Sequence, residues 1–347
     1  MTSSESREAT ASLRRATTQF QSPILARSLR QLADSFLPLI AVCAAMYLSL
    51  GWSTWATLAL AVLAAGFVVR IFIIQHDCGH GSFFHSRRAN DVVGMLCSLV
   101  TLTPYRNWRR QHAGHHGIWN NLDRRHSGAD IYSTCLTTAE YEALPRWRRR
   151  RYRASRHPIV SLILLPPLVF LLLYRAPFDT PRSWRTERRS VHFTNLALIA
   201  VYGALGWALG VPEVLLVQLP ISIISAVFGV WLFSLQHRFE TTLWARQDAW
   251  NVIAAALRGS SFLRLPRVLQ WFTGNIGYHH VHHLNARVPN YRLQECHEAI
   301  PALRSVPVLT LGRSLRNFRF VLWDEARQMM VPFPAAPRDA RAAAKAG

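Results

Sequence analysis

Lysine is almost absent from this chain of 347 residues: Lys345 is the only one, and the rest of its 40 basic side chains are arginines. Cysteine is also scarce, with five residues scattered along the chain. No two of them form a Cys-x-x-Cys pair, which excludes a cysteine zinc site and offers no disulfide framework. The sequence contains no G-x-G-x-x-G, so it lacks a dinucleotide-binding fingerprint of its own.

Charge is missing from long parts of the chain. Three uncharged stretches contain 35, 23 and 24 residues, and they lie between Asp34 and Arg70, between Arg189 and Glu213, and between Glu213 and Arg238 with His237 neutral. A helix needs roughly 20 apolar residues to cross a bilayer. The first stretch can hold two spans joined by a turn at residues 51–53, and residues 211–213 separate the other two. The sequence therefore predicts two transmembrane hairpins.

Histidine, in contrast, is concentrated in three short motifs. The first is a pair with i, i+4 spacing and the others are triplets with i, i+3, i+4 spacing: His76 and His80; His112, His115 and His116; His279, His282 and His283. Side chains three and four residues apart lie on one face of a helix. Imidazole binds iron, zinc, copper and nickel, and one tetrahedral zinc takes about four ligands. Eight such histidines predict a site for two metal ions.

A ninth candidate ligand is His237. It follows directly on the fourth predicted span, residues 214–236, as His76 follows the second, residues 53–75. Both histidines are therefore expected at the same membrane face. Two further histidines, His85 and His280, do not fit the spacing of the motifs. His280, for example, lies about 100° around the helix from His279. We expect neither to bind metal.

All of these histidines must lie on one side of the membrane to share a site. Three apolar runs separate the second motif from the third, so one of them must not cross. Residues 158–174 form the shortest run, Pro166 and Pro167 interrupt it, and arginines flank both of its ends, which favours a cytoplasmic position for both. We expect an all-α integral membrane protein with four transmembrane helices, re-entrant or interfacial helices, and a cytoplasmic histidine-rich helical cap.

The residues alone leave several functions open. The chain has no His-Glu-x-x-His, which disfavours a zinc hydrolase, and no Glu-x-x-His of the soluble di-iron bundles. A metal transporter would place ionisable residues at mid-membrane, and none lies near the middle of the four predicted spans. A structural scaffold would tolerate loss of the histidines. An all-imidazole site at the mouth of a membrane bundle favours iron and oxygen chemistry on a lipid-soluble substrate.

The motifs H-x3-H, H-x2-H-H and H-x2-H-H resemble the histidine boxes of membrane fatty acid desaturases. Four longer stretches narrow the resemblance to bacterial and plastid acyl-lipid omega-6 (delta-12) desaturases: residues 76–84, 108–125, 231–240 and 271–284. The resemblance implies an O2-dependent oxidoreductase that introduces a cis double bond into a lipid-linked acyl chain. Hydroxylases, ketolases and epoxygenases of membranes share these boxes and remain alternatives.

The resemblance also implies two iron ions as cofactor and an external, ferredoxin-like electron donor. Carried over by position, the iron ligands are the nine histidines His76, His80, His112, His115, His116, His237, His279, His282 and His283. Phe233 stands where acyl-CoA desaturases have an Asn that acts through water, so that role is not carried over. Metal-bound imidazoles need partners for their ring N–H groups. Five side chains are candidates for this role: Asp77, Asp123, Asp130, Glu240 and Asn275.

The formal net charge of +21 lies mainly in arginine runs beside apolar runs. This placement favours anionic lipid headgroups over nucleic acid as the partner. We expect a protein of a bacterial inner membrane with a cytoplasmic active site. A desaturase domain of residues 31–331 is predicted between disordered tails of residues 1–30 and 332–347.

Overall fold

The computed structural model describes residues 3–125 and 134–334. In chain order the α-helices are α1 (Ser3–Thr18), α2 (Leu25–Ser49), α3 (Thr54–His80), α4 (Arg87–Thr101), α5 (Tyr105–Ile118), α6 (Thr138–Ala143), α7 (Arg146–Arg156), α8 (Leu165–Leu171), α9 (Arg185–Leu209), α10 (Val211–His237), α11 (Val252–Arg258), α12 (Arg267–Phe272), α13 (His279–Leu284), α14 (Leu293–Ala299) and α15 (Leu311–Asn317). A π-helical turn covers Ile159–Leu164, and 3₁₀ turns cover Leu173–Arg175, Asn290–Arg292 and Pro301–Ser305. The strands are β1 (Leu136–Thr137), β2 (Phe262–Arg264), β3 (Val308–Thr310), β4 (Leu322–Asp324) and β5 (Met329–Val331).

Four helices of the described chain, α2, α3, α9 and α10, are long and apolar enough to cross a membrane. At 1.5 Å per residue, 25 residues extend about 37 Å, more than the roughly 30 Å of a hydrocarbon core. Ser53 begins α3 by accepting a hydrogen bond from the Ala56 N–H. Gly210, at φ 94°, separates α9 from α10 in a conformation that favours glycine. The two predicted hairpins are confirmed, with the second break at Gly210 rather than at residues 211–213.

Helices α2 and α10 pack against α3, which is the most buried of the four long helices. The outer faces of the hairpins expose large apolar side chains, including Leu48 at 78%, Trp55 at 82% and Trp207 at 91%. Apolar patches of this size are rare on soluble proteins and normal where lipid is the solvent. The exposed faces therefore mark the membrane-facing surface of a predominantly helical protein.

The run at residues 158–174 does not continue α7 as a straight helix. The axis turns by 56° between α7 and the stretch Ile159–Arg175. The chain then returns to the histidine side, because Glu187 in the first turn of α9 accepts a hydrogen bond from Arg110 of α5 at 3.0 Å. The hydroxyl of Tyr152 on α7 donates to the Val321 carbonyl in the cap at 3.0 Å. Both ends of the segment thus lie near the cap, as a re-entrant segment requires.

Two small sheets complete the cap. Strands β1, β4 and β5 form one sheet in that order, with β1 parallel and β5 antiparallel to β4. Strands β2 and β3 pair in parallel, with Phe262 opposite Val308. Two or three residues per strand are too few to give a period-two pattern that can be recognised in the sequence.

The amino-terminal region differs from the predicted disordered tail of residues 1–30. Helix α1 precedes the first hairpin, and Thr17, Phe20 and Ser28 are buried. The amide of Asn285 donates to the Thr17 hydroxyl at 2.8 Å, and the Ser28 hydroxyl donates to the Phe83 carbonyl at 2.6 Å. These partners lie far away along the chain, so local composition does not indicate them. Most of the other predicted tail, residues 335–347, lies outside the described residues.

Candidate metal centre

Four elements bring the histidine motifs together. Helices α3 and α10 pack side by side, and each ends with its histidines on the same side of the bundle. Gly81, at φ 67°, ends α3 one residue after His80 in the left-handed conformation of a helix C-cap. Helix α5 carries the second motif and α13 the third. The i, i+3, i+4 spacing then directs each set of imidazoles into the space between these elements.

Five imidazoles form the first group. A ligand nitrogen from each lies within 4.8 Å of those of all the others, and the members are His76, His80, His112, His116 and His282. The Nε2 atom of His282 is 3.0 Å from Nε2 of His76 and 2.9 Å from Nε2 of His116. The Nε2 atoms of His112 and His116 are 3.2 Å apart. This group joins residues from α3, α5 and α13.

A second group of imidazoles lies beside the first. Nitrogens of His115, His237 and His283 fall within 4.8 Å of one another. The Nε2 atom of His279 joins them, at 2.8 Å from Nε2 of His237 and 3.2 Å from Nε2 of His283. The nine histidines predicted as ligands thus divide into one group of five and one group of four.

The donor set fits metal ions. A neutral imidazole has one N–H and one lone pair, so facing Nε2 atoms cannot all act as donors to one another. A cation between them would accept every lone pair at once. The Nε2 atom of His80 is buried and has no hydrogen-bond partner within the described part of the chain. Such an orphaned ligand atom is costly unless something binds it.

The electrostatics of the cap favour the ligand form of these side chains. Burial, and next to it the neighbouring imidazoles, lowers the pKa of His112, His116, His279, His282 and His283 well below the ordinary value for histidine. Neutral imidazole is the form that binds metal. The site is therefore prepared for a cation and not for an anion.

Asp77 contacts one of the grouped imidazoles. Its Oδ1 lies 3.2 Å from Nδ1 of His76, while Nε2 of the same ring faces His282. Its Oδ2 accepts hydrogen bonds from the backbone N–H of Asn290 at 2.6 Å and from the Asn290 amide at 2.8 Å. The carboxylate is thereby fixed between α3 and the chain that follows α13. Asn290 has no local motif that would have indicated this role.

Three other candidates for that role lie in the described residues, and their side chains have other surroundings than the imidazoles. Asp123 instead accepts hydrogen bonds from Arg246 at 2.8 Å and from the Gln247 N–H at 2.8 Å. Glu240 is exposed. Asn275 has φ 57° in the turn before α13, where its side chain accepts from Gln270 at 3.1 Å. Asp130 lies outside the described residues.

The two histidines expected not to bind metal lie apart from both groups. The Nε2 atom of His280 is 3.0 Å from Nδ1 of His297, on the far side of α13. His85 is exposed. The two histidines that do not fit the motif spacing are thus also the two that lie outside both imidazole groups.

Two tryptophans in the wall of the site were not predicted. The Trp108 ring stacks on His112 at 4.7 Å between centroids, with 14° between the planes. The Trp119 ring lies 4.0 Å from the His237 ring and 5.0 Å from the His115 ring. Each tryptophan is four residues from a motif histidine, a spacing that puts it on the same helix face. The four-residue spacing from a motif histidine could therefore have indicated both tryptophans in the sequence.

An apolar cavity of about 200 Å³ opens beside the imidazoles. Helices α3, α8 and α10 provide most of its walls through the side chains Val69, Phe72, Phe170, Ala226, Val230 and Phe233. Four of the grouped histidines are also part of its lining: His76, His112, His115 and His279. The lining extends along α10 as far as Ser222, and the 15 residues from there to His237 correspond to about 22 Å of helix. This shape suits a long, flexible, apolar substrate.

Comparison with known proteins agrees with this geometry. The family model for fatty acid desaturases matches residues 53–307. The chain is 46% identical over 316 residues to a "Fatty acid desaturase" of Bacillus subtilis, an alignment that covers 91% of this chain and 88% of that protein. It is 28% identical to an "sn-1 oleoyl-lipid 12-desaturase" of Picosynechococcus, over 66% of this chain and 64% of the relative.

A third relative is an "sn-1 acyl-lipid omega-3 desaturase (ferredoxin)" of Synechocystis, 30% identical over 66% of this chain and 63% of the relative. The family match spans most of the chain, and the Bacillus relative is similar along nearly its whole length. On these grounds the protein belongs to the fatty acid desaturase family and is a membrane oxidoreductase.

Proposed function

We propose that the protein is an O2-dependent di-iron desaturase that introduces a cis double bond into the acyl chain of a membrane lipid. The observation that carries the proposal is that members of both imidazole groups line one apolar cavity. Two iron ions bound there would supply the oxygen activation that removes hydrogens from unactivated C–H bonds, which no side chain can attack.

The protein's own residues would bind the two ions and limit the access of water to them. His76, His80, His112, His116 and His282 would bind one ion, and His115, His237, His279 and His283 would bind the other. Asp77 contacts Nδ1 of His76 and would keep Nε2 of that ring directed towards a bound ion. The rings of Trp108 and Trp119 cover the imidazoles and exclude water from the reacting carbon.

The cavity selects and orients the substrate. Its walls bury methylene groups at roughly 0.8 kcal/mol each, so a long saturated chain gains affinity without any polar contact. At one edge of the lining the Gln111 amide donates to the exposed carboxylate of Asp179 at 3.0 Å. We assign this polar edge to the carrier end of the acyl chain. Two of the relatives are named for acyl groups on lipids, which supports a lipid-linked substrate.

An external donor supplies electrons in this proposal. Each double bond requires two electrons besides the two taken from the substrate, and the chain has neither a dinucleotide fingerprint nor a cysteine set for an iron–sulfur cluster. Relatives with ferredoxin in their names support a donor of that type. A small acidic protein would be attracted to the arginines of α7, none of which is buried.

Fatty-acid profiling tests the reaction. The chain should be expressed in a host that makes no polyunsaturated lipids, beside an equally expressed His237→Ala variant. A new cis double bond in the membrane lipids of the first culture, and not of the second, is the expected result. Hydroxylated or epoxidised acyl chains in place of the double bond would instead favour the related oxygenases.

The cytoplasmic position of the site in a bacterial inner membrane is also proposed. Single cysteines at positions 150 and 185, in a variant without native cysteines, should both react with a membrane-impermeant reagent only after the cytoplasmic face is opened. Labelling from opposite faces would mean that the segment at residues 158–174 spans the membrane.

A further inference from the structure

A basic cleft of about 700 Å³ lies on the other side of α3 from the acyl cavity. Neighbouring residues on the same elements face the two spaces: Val69 and Ile276 line the cavity, whereas Arg70 and Asn275 line the cleft. The first turns of α2, strand β2 and helix α12 complete the cleft walls. Five guanidinium groups surround it, those of Arg27, Arg30, Arg70, Arg264 and Arg267.

Arg70 forms the floor of this cleft. It is only 6% exposed, donates to Asp34 at 3.1 Å and to the Ser35 hydroxyl at 3.1 Å, and stacks 3.8 Å from the Trp271 ring centre. It also donates to the Trp271 carbonyl. These contacts connect α2, α3 and α12 and hold the floor rigid. Asp34 balances the charge of this guanidinium, so the net charge of the cleft depends on the other four arginines.

Of the four arginines at the rim, one has a carboxylate partner among the described residues and three do not. Arg27 pairs with Glu295. Arg30, Arg264 and Arg267 are exposed, and none has a carboxylate within ion-pair distance in residues 3–125 or 134–334. The cleft therefore carries an excess of three positive charges, which calls for an anionic ligand.

The surroundings place the cleft at the level of lipid headgroups. Arg30 and Asp34 lie one turn apart at the start of the uncharged stretch of α2, which then continues as a membrane span. Large apolar side chains are exposed on both sides of the cleft: Leu29 at 52% on α2 and Val268 at 67% on α12. Trp271, which stacks on Arg70, is 38% exposed, and tryptophan is enriched at membrane interfaces.

We propose that this cleft binds the headgroup of an anionic phospholipid, one with a phosphodiester charge and no compensating amine. Guanidinium groups bind phosphate oxygens in bidentate fashion, and basic pockets beside membrane helices recognise such headgroups. The amides of Gln270 and Gln294 would meet headgroup hydroxyls, since both line the cleft. The acyl tails would lie on the exposed apolar faces of α2 and α12. A soluble acidic partner would make no use of those faces.

Lipid retention tests the proposal independently of the desaturase reaction. The full-length protein with its metals is placed in nanodiscs of phosphatidylcholine with graded amounts of phosphatidylglycerol, and bound lipid is quantified by native mass spectrometry. The variant is Arg264→Gln with Arg267→Gln. The matched control is Arg313→Gln with Arg316→Gln, two exposed arginines at the same spacing on α15.

The test variant should bind phosphatidylglycerol about 30-fold more weakly, which corresponds to about 1 kcal/mol for each lost arginine. The control should bind it like the native protein. Arg30→Gln, at a third exposed position, should give a weakening of about fivefold by the same conversion. Together these results would support the cleft as the lipid site.

Several outcomes would overturn it. Equal weakening in the test and control variants would show a general effect of charge, and phosphatidylcholine retained as firmly as phosphatidylglycerol would remove the role of net charge. Displacement of bound lipid by millimolar inorganic phosphate would indicate a site for a free anion. Loss of ferredoxin binding in the test variant, with lipid retention unchanged, would make the cleft a protein-docking surface.

Discussion

The Nε2 atoms of His237 and His279 lie 2.8 Å apart, although one residue ends α10 and the other begins α13. The two residues are 42 positions apart in the sequence. The nitrogens that would bind a cation are thus brought together by two elements with no local connection. Removal of either imidazole should therefore affect one metal position more than the other.

His237→Ala should abolish desaturation and reduce the metal content from about two ions per chain to about one, because a tetrahedral site needs about four ligands and the group of four would retain only three. Metal analysis of the purified variant, together with fatty-acid profiling, measures both effects.

His280→Ala is the matched control within the same region. Its imidazole is paired with His297 at 3.0 Å and not with either group. This variant should keep two metal ions and much of its activity, with some loss of stability because a buried side chain is truncated. If the two variants behaved alike, the assignment of at least one of these histidines would be wrong.

Asp77→Asn should lower metal affinity or activity by roughly 10- to 100-fold, the usual effect of removing the partner of a metal-bound histidine. The physical reason is the contact between Asp77 and Nδ1 of His76. The rate of iron loss to a chelator and the turnover rate measure it. Asp123→Asn should leave both values unchanged, since that carboxylate pairs with Arg246 at the surface. Equal effects of the two substitutions would contradict the assigned role of Asp77.

The sequence was sufficient to predict the helical membrane fold and the nine histidines that converge. The fold follows from uncharged stretches long enough to span, eight of the histidines follow from the spacing of a helix face, and His237 follows from its place at the end of the fourth span. The motif His112, His115, His116 illustrates this, because one α-helix places all three rings towards the same space.

Contacts between distant residues could not be predicted in the same way. Asp77 and Asp123 look alike in sequence, and each is close to a motif histidine. They differ because Asn290 holds Asp77 in the site, whereas Arg246 draws Asp123 to the surface. The burial of Phe20 likewise depends on packing against the cap and not on the polar composition of its neighbours.

Gly229→Phe should obstruct the acyl cavity. Gly229 lines the cavity, and a side chain added there meets nothing within 4 Å, so the ring can occupy the space that the substrate needs. Turnover of long acyl chains should fall roughly 10- to 100-fold, the equivalent of 1–3 kcal/mol of overpacking, with an unchanged iron content. Gly203→Phe on α9 is the control, because Gly203 also has open space but is not part of the cavity lining. Undiminished turnover in Gly229→Phe would place the acyl chain elsewhere.

Turnover with reduced ferredoxin should fall as ionic strength rises from about 0.05 to about 0.5 M, since the Debye length is about 10 Å at 0.1 M and shortens with salt. Replacing residues 148–151 of α7 with glutamine should weaken this dependence, while the Arg313→Gln, Arg316→Gln control should retain it. The turnover rate, measured at each ionic strength with the electron donor limiting, tests this dependence. A salt-independent rate would argue against electrostatic docking, and activity with NADPH alone would exclude the need for an external carrier.

The metal content of active, purified protein tests the central claim most directly. Nine imidazoles in groups of five and four can bind two ions, and the proposed function requires those ions to be iron. Elemental analysis should therefore find about two iron ions per chain, in line with the roughly four ligands that each ion takes, and activity should rise with iron content. Stoichiometric zinc without iron in fully active protein would contradict the di-iron assignment.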